Sequence, residues 1–203
     1  MSRDSTTSAR VVAISGTPGV GKTLVAKRLA EALGSEIVEL SEVVLREGLY
    51  VGYDEKTLSY VIDEARVREY VRSLATKGGV VIVVGHYSEI VDDDILEKLF
   101  VIRLNPLELL ERLRRRGWPP AKVLDNVEAE LLGVCTANAL AEHSHSKVCE
   151  VDASGKEPEE VSREIIEILQ GIRECRVFVD WLEREDVIRG LFASGLLILQ
   201  ERE

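Results

Sequence analysis

Arg10-Val-Val-Ala-Ile-Ser15, then Gly16-Thr-Pro-Gly-Val-Gly21-Lys22-Thr23, then Leu24-Val-Ala-Lys-Arg-Leu-Ala-Glu-Ala-Leu33 form one continuous stretch of 24 residues. The first run is apolar and β-branched, as expected of a strand buried on both faces of a parallel sheet. The last places Leu24, Ala26, Leu29, Ala30 and Leu33 at helical spacing, with Gly34 where a C-cap belongs. The segment between them fits G-x-x-x-x-G-K-[ST], and its position after a strand and before a helix makes the match informative. Glycines let the backbone approach phosphate oxygens closely. Turned N–H groups and the helix N-terminus then present partial positive charge to one point. Lys22 is a mobile cation that reaches the β- and γ-phosphates, and Thr23 offers a hydroxyl to Mg²⁺. The stretch predicts a nucleoside-triphosphate site.

Outward from this stretch, the chain alternates short apolar runs with helical patterns. Strands are expected at Glu36–Leu40, Val80–Val84, Leu99–Leu104 and Lys147–Val151. A helix opens at Asp63-Glu64 and ends at Gly78-Gly79. Others run from Pro106 to Arg116, over about Ala121–Ser144, and over Glu157–Gln170. Alternation of this kind predicts an α/β fold, a parallel sheet flanked by helices on both faces. Residues 1–9 are polar and expected to be disordered, and residues 10–170 form the domain. Residues 171–203 carry Val177, Phe178, Trp181, Leu182, Ile188, Leu191, Phe192 and Leu196–Leu199, too apolar for a free tail, so they are expected to dock on that domain.

Composition narrows the class. With 203 residues the chain can bury roughly 70% of its unfolded surface without staples. No run of about 18 apolar residues exists, so no membrane-spanning helix is expected, and the opening lacks an apolar export core. The reading is cytoplasmic. Cys135, Cys149 and Cys175 lie 14 and 26 residues apart, and are read as reduced thiols with neither a disulfide nor a zinc site. A net charge of -10 disfavours nonspecific nucleic-acid binding. Asp92-Asp93-Asp94 reads as a solvated helix N-cap run, and His143 and His145 as groups at a helix C-terminus, not as metal ligands.

Among phosphate-loop proteins, motor and AAA-type ATPases are usually longer, and the N-K-x-D motif of small GTPases is absent. A compact chain suits a small-molecule kinase, which needs a second phosphate site, a moving cover and arginines for the transferred group. Arg112-Leu-Arg114-Arg115-Arg116-Gly117-Trp118-Pro119-Pro120 supplies four arginines in five positions and then a sharp turn.

At this point the chain resembles a family, the archaeal and eukaryotic adenylate kinases related to isoenzyme six, also called the coilin-interacting nuclear ATPase family. The resemblance runs from about Val11 to Gln170. It rests on the phosphate loop, Tyr53-Asp54-Glu55 with Asp63-Glu64, Gly78-Gly79 with a strand and His86, Arg112-Leu113, Arg116-Gly117-Trp118, and Lys122 through Asn126 to Glu130. It implies the nucleoside-monophosphate kinase fold with a short lid at about 115–125 and a monophosphate-binding region at about 39–63. It also implies transfer of the ATP γ-phosphoryl group to AMP, an ATPase side activity, and a part in ribosome biogenesis and rRNA processing. The partner would be a small-subunit platform ribosomal protein of the uS-eleven family, with no membrane and no sequence-specific nucleic acid. By resemblance Gly19, Gly21, Lys22, Thr23 and Leu24 hold ATP, Thr23 holds Mg²⁺, and Lys22, His86 and Arg116 are catalytic. Arg116 also contacts nucleotide phosphates, and Arg46 and Arg112 bind substrate. Tyr53 and Tyr60 are expected in the monophosphate cleft. One departure stands out: the family has Asp-x-His after its third strand, and here Val84 occupies the acid's place. Asp54, Asp63 and Glu89 are the candidate substitutes.

Overall fold

The computed structural model describes residues 10–55, 59–76 and 79–196. The expected disordered start, Gly78 and Leu197–Leu199 lie outside the described residues. Five parallel strands make one sheet: β1 (Arg10–Ser15), β2 (Glu36–Glu39), β5 (Val80–Val84), β6 (Leu96–Arg103) and β7 (Val148–Asp152), in the order β2-β5-β1-β6-β7. Strands β3 (Tyr50–Asp54) and β4 (Ser59–Ile62) form a separate antiparallel hairpin. The helices are α1 (Lys22–Leu33), α2 (Leu40–Arg46), α3 (Glu64–Ala75), α4 (Pro106–Arg115), α5 (Pro120–Leu131), α6 (Val134–Glu142), α7 (Pro158–Leu169) and α8 (Glu185–Ala193).

The twofold alternation of β1 builds two cores. Val12 and Ile14 face one layer with α1, α4, α5, α7 and α8, while Val11 and Ala13 face the other with α2, α3 and α6. Leu29, Phe100, Leu109, Leu113 and Ile165 are fully buried in the first layer. Each such side chain contributes about 1.5–3 kcal/mol on burial.

Three expectations are corrected. The single helix over Ala121–Ser144 is two helices, because Gly133 takes a φ of 66° and caps the start of α6. Only glycine holds that backbone cheaply. The Asp92–Asp94 run caps no helix, since β6 follows it. Instead Asp92 and Asp94 bind Arg72, Asp92 also binds Arg68, and Asp93 binds His143. The third correction concerns the thiols: Cys149 on β7 and Cys175 are joined in a disulfide, with Cα atoms 4.9 Å apart. The chain after α7 returns along β7, where Glu150 N–H donates to the Arg176 carbonyl at 2.9 Å. That return brings together two cysteines whose spacing of 26 residues gives no hint of contact. Cys135 remains free.

The described residues beyond α7, up to Leu196, pack on the body. Trp181, Val187 and Leu191 are buried in the first core layer. Gly190 lies against Leu107, close enough that a Cβ there would stand 2.6 Å from Leu107 Cδ1. Among the described residues no helix is long and apolar enough to cross a membrane.

Candidate active site

β1 is the central strand, and the loop leaving its carboxyl end opens between β5 and β6, where α/β sheets bind ligands. The loop cannot sit there without Gly16, at φ 140°: an added Cβ would lie 2.5 Å from the Ile102 carbonyl oxygen. Gly21 is the N-cap of α1, so the helix's first turn faces the loop's hollow. Leu24 N–H donates to the Gly21 carbonyl at 3.1 Å in this first turn.

Lys22 curls back over this loop and donates to the carbonyls of Gly16 at 2.6 Å and Thr17 at 3.1 Å. Burial pulls its pKa down to about 8, against the opposing pull of Cys135, Glu130 and Glu39. Its ammonium therefore sits on weak neutral acceptors and gains by exchanging them for phosphate oxygens.

Thr23 Oγ1 donates to Glu39 Oε2 at 3.4 Å. Glu39 ends β2 and is the register partner of Val84 on β5. A carboxylate thus stands beside position 84 from the neighbouring strand. Of the three expected substitutes, Asp63 caps α3 by accepting Arg66 N–H at 3.2 Å, Asp54 lies on the hairpin, and Glu89 follows β5. A hydroxyl and a carboxylate are a hard-oxygen pair that fits Mg²⁺, which takes one or two protein groups and the rest from phosphates and water. Among the described residues no cluster of three His, Cys, Asp or Glu could hold a metal alone.

One cavity is lined by the loop itself, and a second includes His86, whose carbonyl accepts Ser15 Oγ at the end of β1 at 3.4 Å. The first, of about 330 Å³, lies between Gly21, Leu24, Arg112, Arg116, Lys156 and Glu157. Arg112 also donates to the Val20 carbonyl at 3.2 Å, fixing its guanidinium beside the loop. Arg116 and Gly117 open the four-residue connection 116–119 between α4 and α5. Trp118 in that turn packs against the core with Lys122 Nζ 4.7 Å over its ring.

The other cavity, of about 430 Å³ and mostly apolar, is walled by Val44, Leu45, Tyr60, Ile62, His86 and Tyr87. Both volumes fall in the range of small-ligand sites. His86 is lowered in pKa by burial first and by the Lys22 charge second, so its ring is neutral at pH 7. Burial pushes Tyr87 up to about 12, so it stays a phenol. Tyr60 packs between Tyr50 and Tyr53, with ring centroids at 4.6 and 5.1 Å. Arg46 is not brought to this cavity. It is exposed on α2, bonded to Glu47 at 2.8 Å and to Tyr70 Oη at 3.1 Å, while its neighbour Leu45 lines the wall.

Sequence reading missed Glu39, the β3–β4 hairpin that closes the apolar cavity, and Lys156. Glu39 needs knowledge that β2 adjoins β5. The hairpin's alternation, Tyr50, Gly52, Asp54 against Tyr60 and Ile62, was the available signal for the second. His143 is buried at the end of α6, bonded to Asp93 Oδ1 at 2.8 Å and to the Glu89 carbonyl at 2.9 Å, a structural post.

A family model described as AAA domain matches residues 12–133. The expectation that an AAA-type ATPase would be longer therefore does not separate the classes. The chain is 38% identical over 173 residues to a Methanocaldococcus jannaschii protein named putative adenylate kinase, covering 85% of this chain and 93% of that one. It is 40% identical over 188 residues to a Pyrococcus furiosus protein of the same name, covering 91% and 99%. Among solved structures, shikimate kinase from Acinetobacter baumannii in complex with shikimate aligns at TM-score 0.55 and 17% identity, covering 81% of this chain and 95% of that one. Thymidylate kinase from Candida albicans aligns at 0.54 and 14%, covering 84% and 98%. At these identities the structures show the fold alone, a phosphate-loop kinase fold of the nucleoside-monophosphate kinase type.

Proposed function

Because this chain belongs to the family of putative adenylate kinases, we propose that it transfers the γ-phosphoryl group of ATP to AMP, giving two ADP. The observation that carries this reading is a phosphate loop that lines one cavity, with a second cavity at His86, next to the end of the loop's strand. One cavity is edged by two arginines, the other by aromatic rings and a neutral histidine. A donor nucleotide fits the first, with Gly19, Gly21, Lys22 and Thr23 on its phosphates and Arg112 and Arg116 beside it. An acceptor nucleoside fits the second, its base against Tyr60 and Tyr87 and its phosphate aimed at the loop. Thr23 and Glu39 would hold Mg²⁺, which supplies charge neutralisation at the β- and γ-oxygens when bound. The protein positions two phosphates in line and meets developing charge with Lys22, Arg112 and Arg116, and little covalent chemistry is required of it. His86 stands at the acceptor end as a neutral donor or acceptor of one proton. Closure of the 116–119 turn over the site would exclude water and so limit hydrolysis of ATP.

The test is a coupled assay of Mg-ATP with AMP, CMP, UMP and GMP. AMP is expected to give the highest kcat/KM. Transfer to none of them, with ATP hydrolysis retained, would overturn the kinase reading in favour of an ATP-driven assembly factor. The acidic charge of -10 suits a basic ribosomal partner such as the uS-eleven protein. Pull-down of that protein with and without ATP checks this second role.

The depressed Lys22 makes a pH prediction. Free Lys22 titrates at about 8, and a bound triphosphate raises that value by favouring the ammonium. Above pH 8 ATP must therefore bring a proton with it, so affinity is expected to fall as pH rises past 8. Calorimetric titration at pH 9 in two buffers of different ionisation enthalpy is expected to show uptake of nearly one proton, against almost none at pH 7.

A further inference from the structure

Glu130 lies inside the Lys122–Glu130 motif, on α5, and touches neither cavity, yet it is 1% exposed and fully partnered. Its Oε2 accepts Thr17 Oγ1 at 2.7 Å, and Thr17 belongs to the phosphate loop. Its Oε1 accepts Arg103 Nε at 2.8 Å, Leu104 N–H at 3.1 Å and Trp181 Nε1 at 3.1 Å. One carboxylate thus bolts together the loop, the end of β6 and the segment that follows α7. Thr17 is held from both sides: its hydroxyl by Glu130, its carbonyl by the Lys22 ammonium. A buried charge of this kind is costly unless each lone pair is used, and here the partners come from three elements far apart in sequence.

We propose that Glu130 is a positioning residue for the nucleotide's phosphates, setting the loop through the Thr17 hydroxyl, and that Trp181 makes the C-terminal segment part of the ATP site's scaffold. The inference rests on the function reading above, in that ATP is the loop's ligand. A Thr17 freed of Glu130 lets its carbonyl turn, and the loop's amides then lose their common aim. Trp181 acts one step further back, by fixing which way the Glu130 carboxylate faces. A hydrogen bond to a charged group is worth enough that losing either link is expected to weaken ATP binding roughly tenfold. Binding of the second nucleotide does not pass through Thr17, so KM for AMP is expected to stay as it was.

Glu130→Gln is the direct variant, but it leaves Arg103 without a full partner and risks the fold. Thr17→Val and Trp181→Phe keep shape and remove one donor each. ATP affinity is measured for both, for Thr17→Ser, and for the Thr17→Val/Trp181→Phe pair, with melting temperature and KM for AMP alongside. The expected result has three parts. Each single variant loses roughly tenfold in ATP affinity. The pair loses little more than one of them, because both act through one carboxylate. Thr17→Ser, which keeps the hydroxyl, binds as the parent does. Unchanged ATP affinity in either folded single variant, losses that multiply in the pair, or a fall in AMP binding equal to that in ATP binding overturns the inference. A parent protein that binds no ATP overturns the function reading, and this inference with it; failure of the variants alone leaves that reading standing.

Discussion

Lys22→Ala is expected to lower kcat/KM for ATP by about 10²- to 10³-fold, the loss seen when one preorganised charge donor is taken from a transition state. The ground-state share is smaller, because one charge-assisted hydrogen bond to phosphate contributes about 1.5–3 kcal/mol. The remainder appears only as charge builds on the transferring oxygens, so kcat falls further than ATP affinity does. Stability moves little. In the free protein the ammonium is desolvated, is depressed to about 8, and donates to the Gly16 and Thr17 carbonyls. Removing a desolvated cation relieves as much as it loses. Steady-state kinetics with a parallel thermal melt checks both halves. Turnover within threefold of the parent would show that Lys22 does not meet the phosphates, and a large fall in melting temperature would show that it serves the fold.

The sequence made the nucleotide loop readable for a local reason: strand, turn and helix are adjacent, and each is dictated by residues within 24 positions. β1, α1 with its Gly34 cap, β5 and the Pro106 start of α4 all follow from period, β-branching and cap chemistry. What the sequence hid depends on elements meeting at a distance. Glu39 reaches Thr23 only because β2 pairs with β5, which sets it beside Val84. Cys149 meets Cys175 only because the chain doubles back along β7. Arg46 and Leu45 are adjacent, and which one faces the cavity is decided by the rotation of a seven-residue helix, too short for period to fix. The division of α5 from α6 rests on one backbone angle at Gly133, inside a stretch whose apolar pattern continues on both sides. Fold class is a statement about patterns, whereas site geometry is a statement about register, and register is where one sequence stops informing.

The strongest structural consequence of that hidden register is Arg103. Its side chain is 3% exposed and lies between Glu130 and Glu150, which are 1% and 0% exposed. Nε binds Glu130, one terminal nitrogen binds Glu150, and the other donates to the Glu130 carbonyl at 2.8 Å. Glu150 in turn accepts the N–H groups of Phe178 and Val179 at 2.7 Å and Thr136 Oγ1 at 2.6 Å. One cation therefore neutralises part of two buried anions and holds the C-terminal segment to β7. Arg103→Met fills the same space but leaves two buried carboxylates without the one cation bonded to both. Removing one partner of a buried pair costs about 3–5 kcal/mol. For a chain of this length that corresponds to a melting temperature lower by roughly 6–20 °C. Arg103→Lys is expected to fall between, because an ammonium is a point charge and cannot span both acids as the guanidinium fork does. A drop under 2 °C for Arg103→Met, measured by calorimetry at pH 7, would contradict this account of how the sheet's edge and the C-terminal segment are joined.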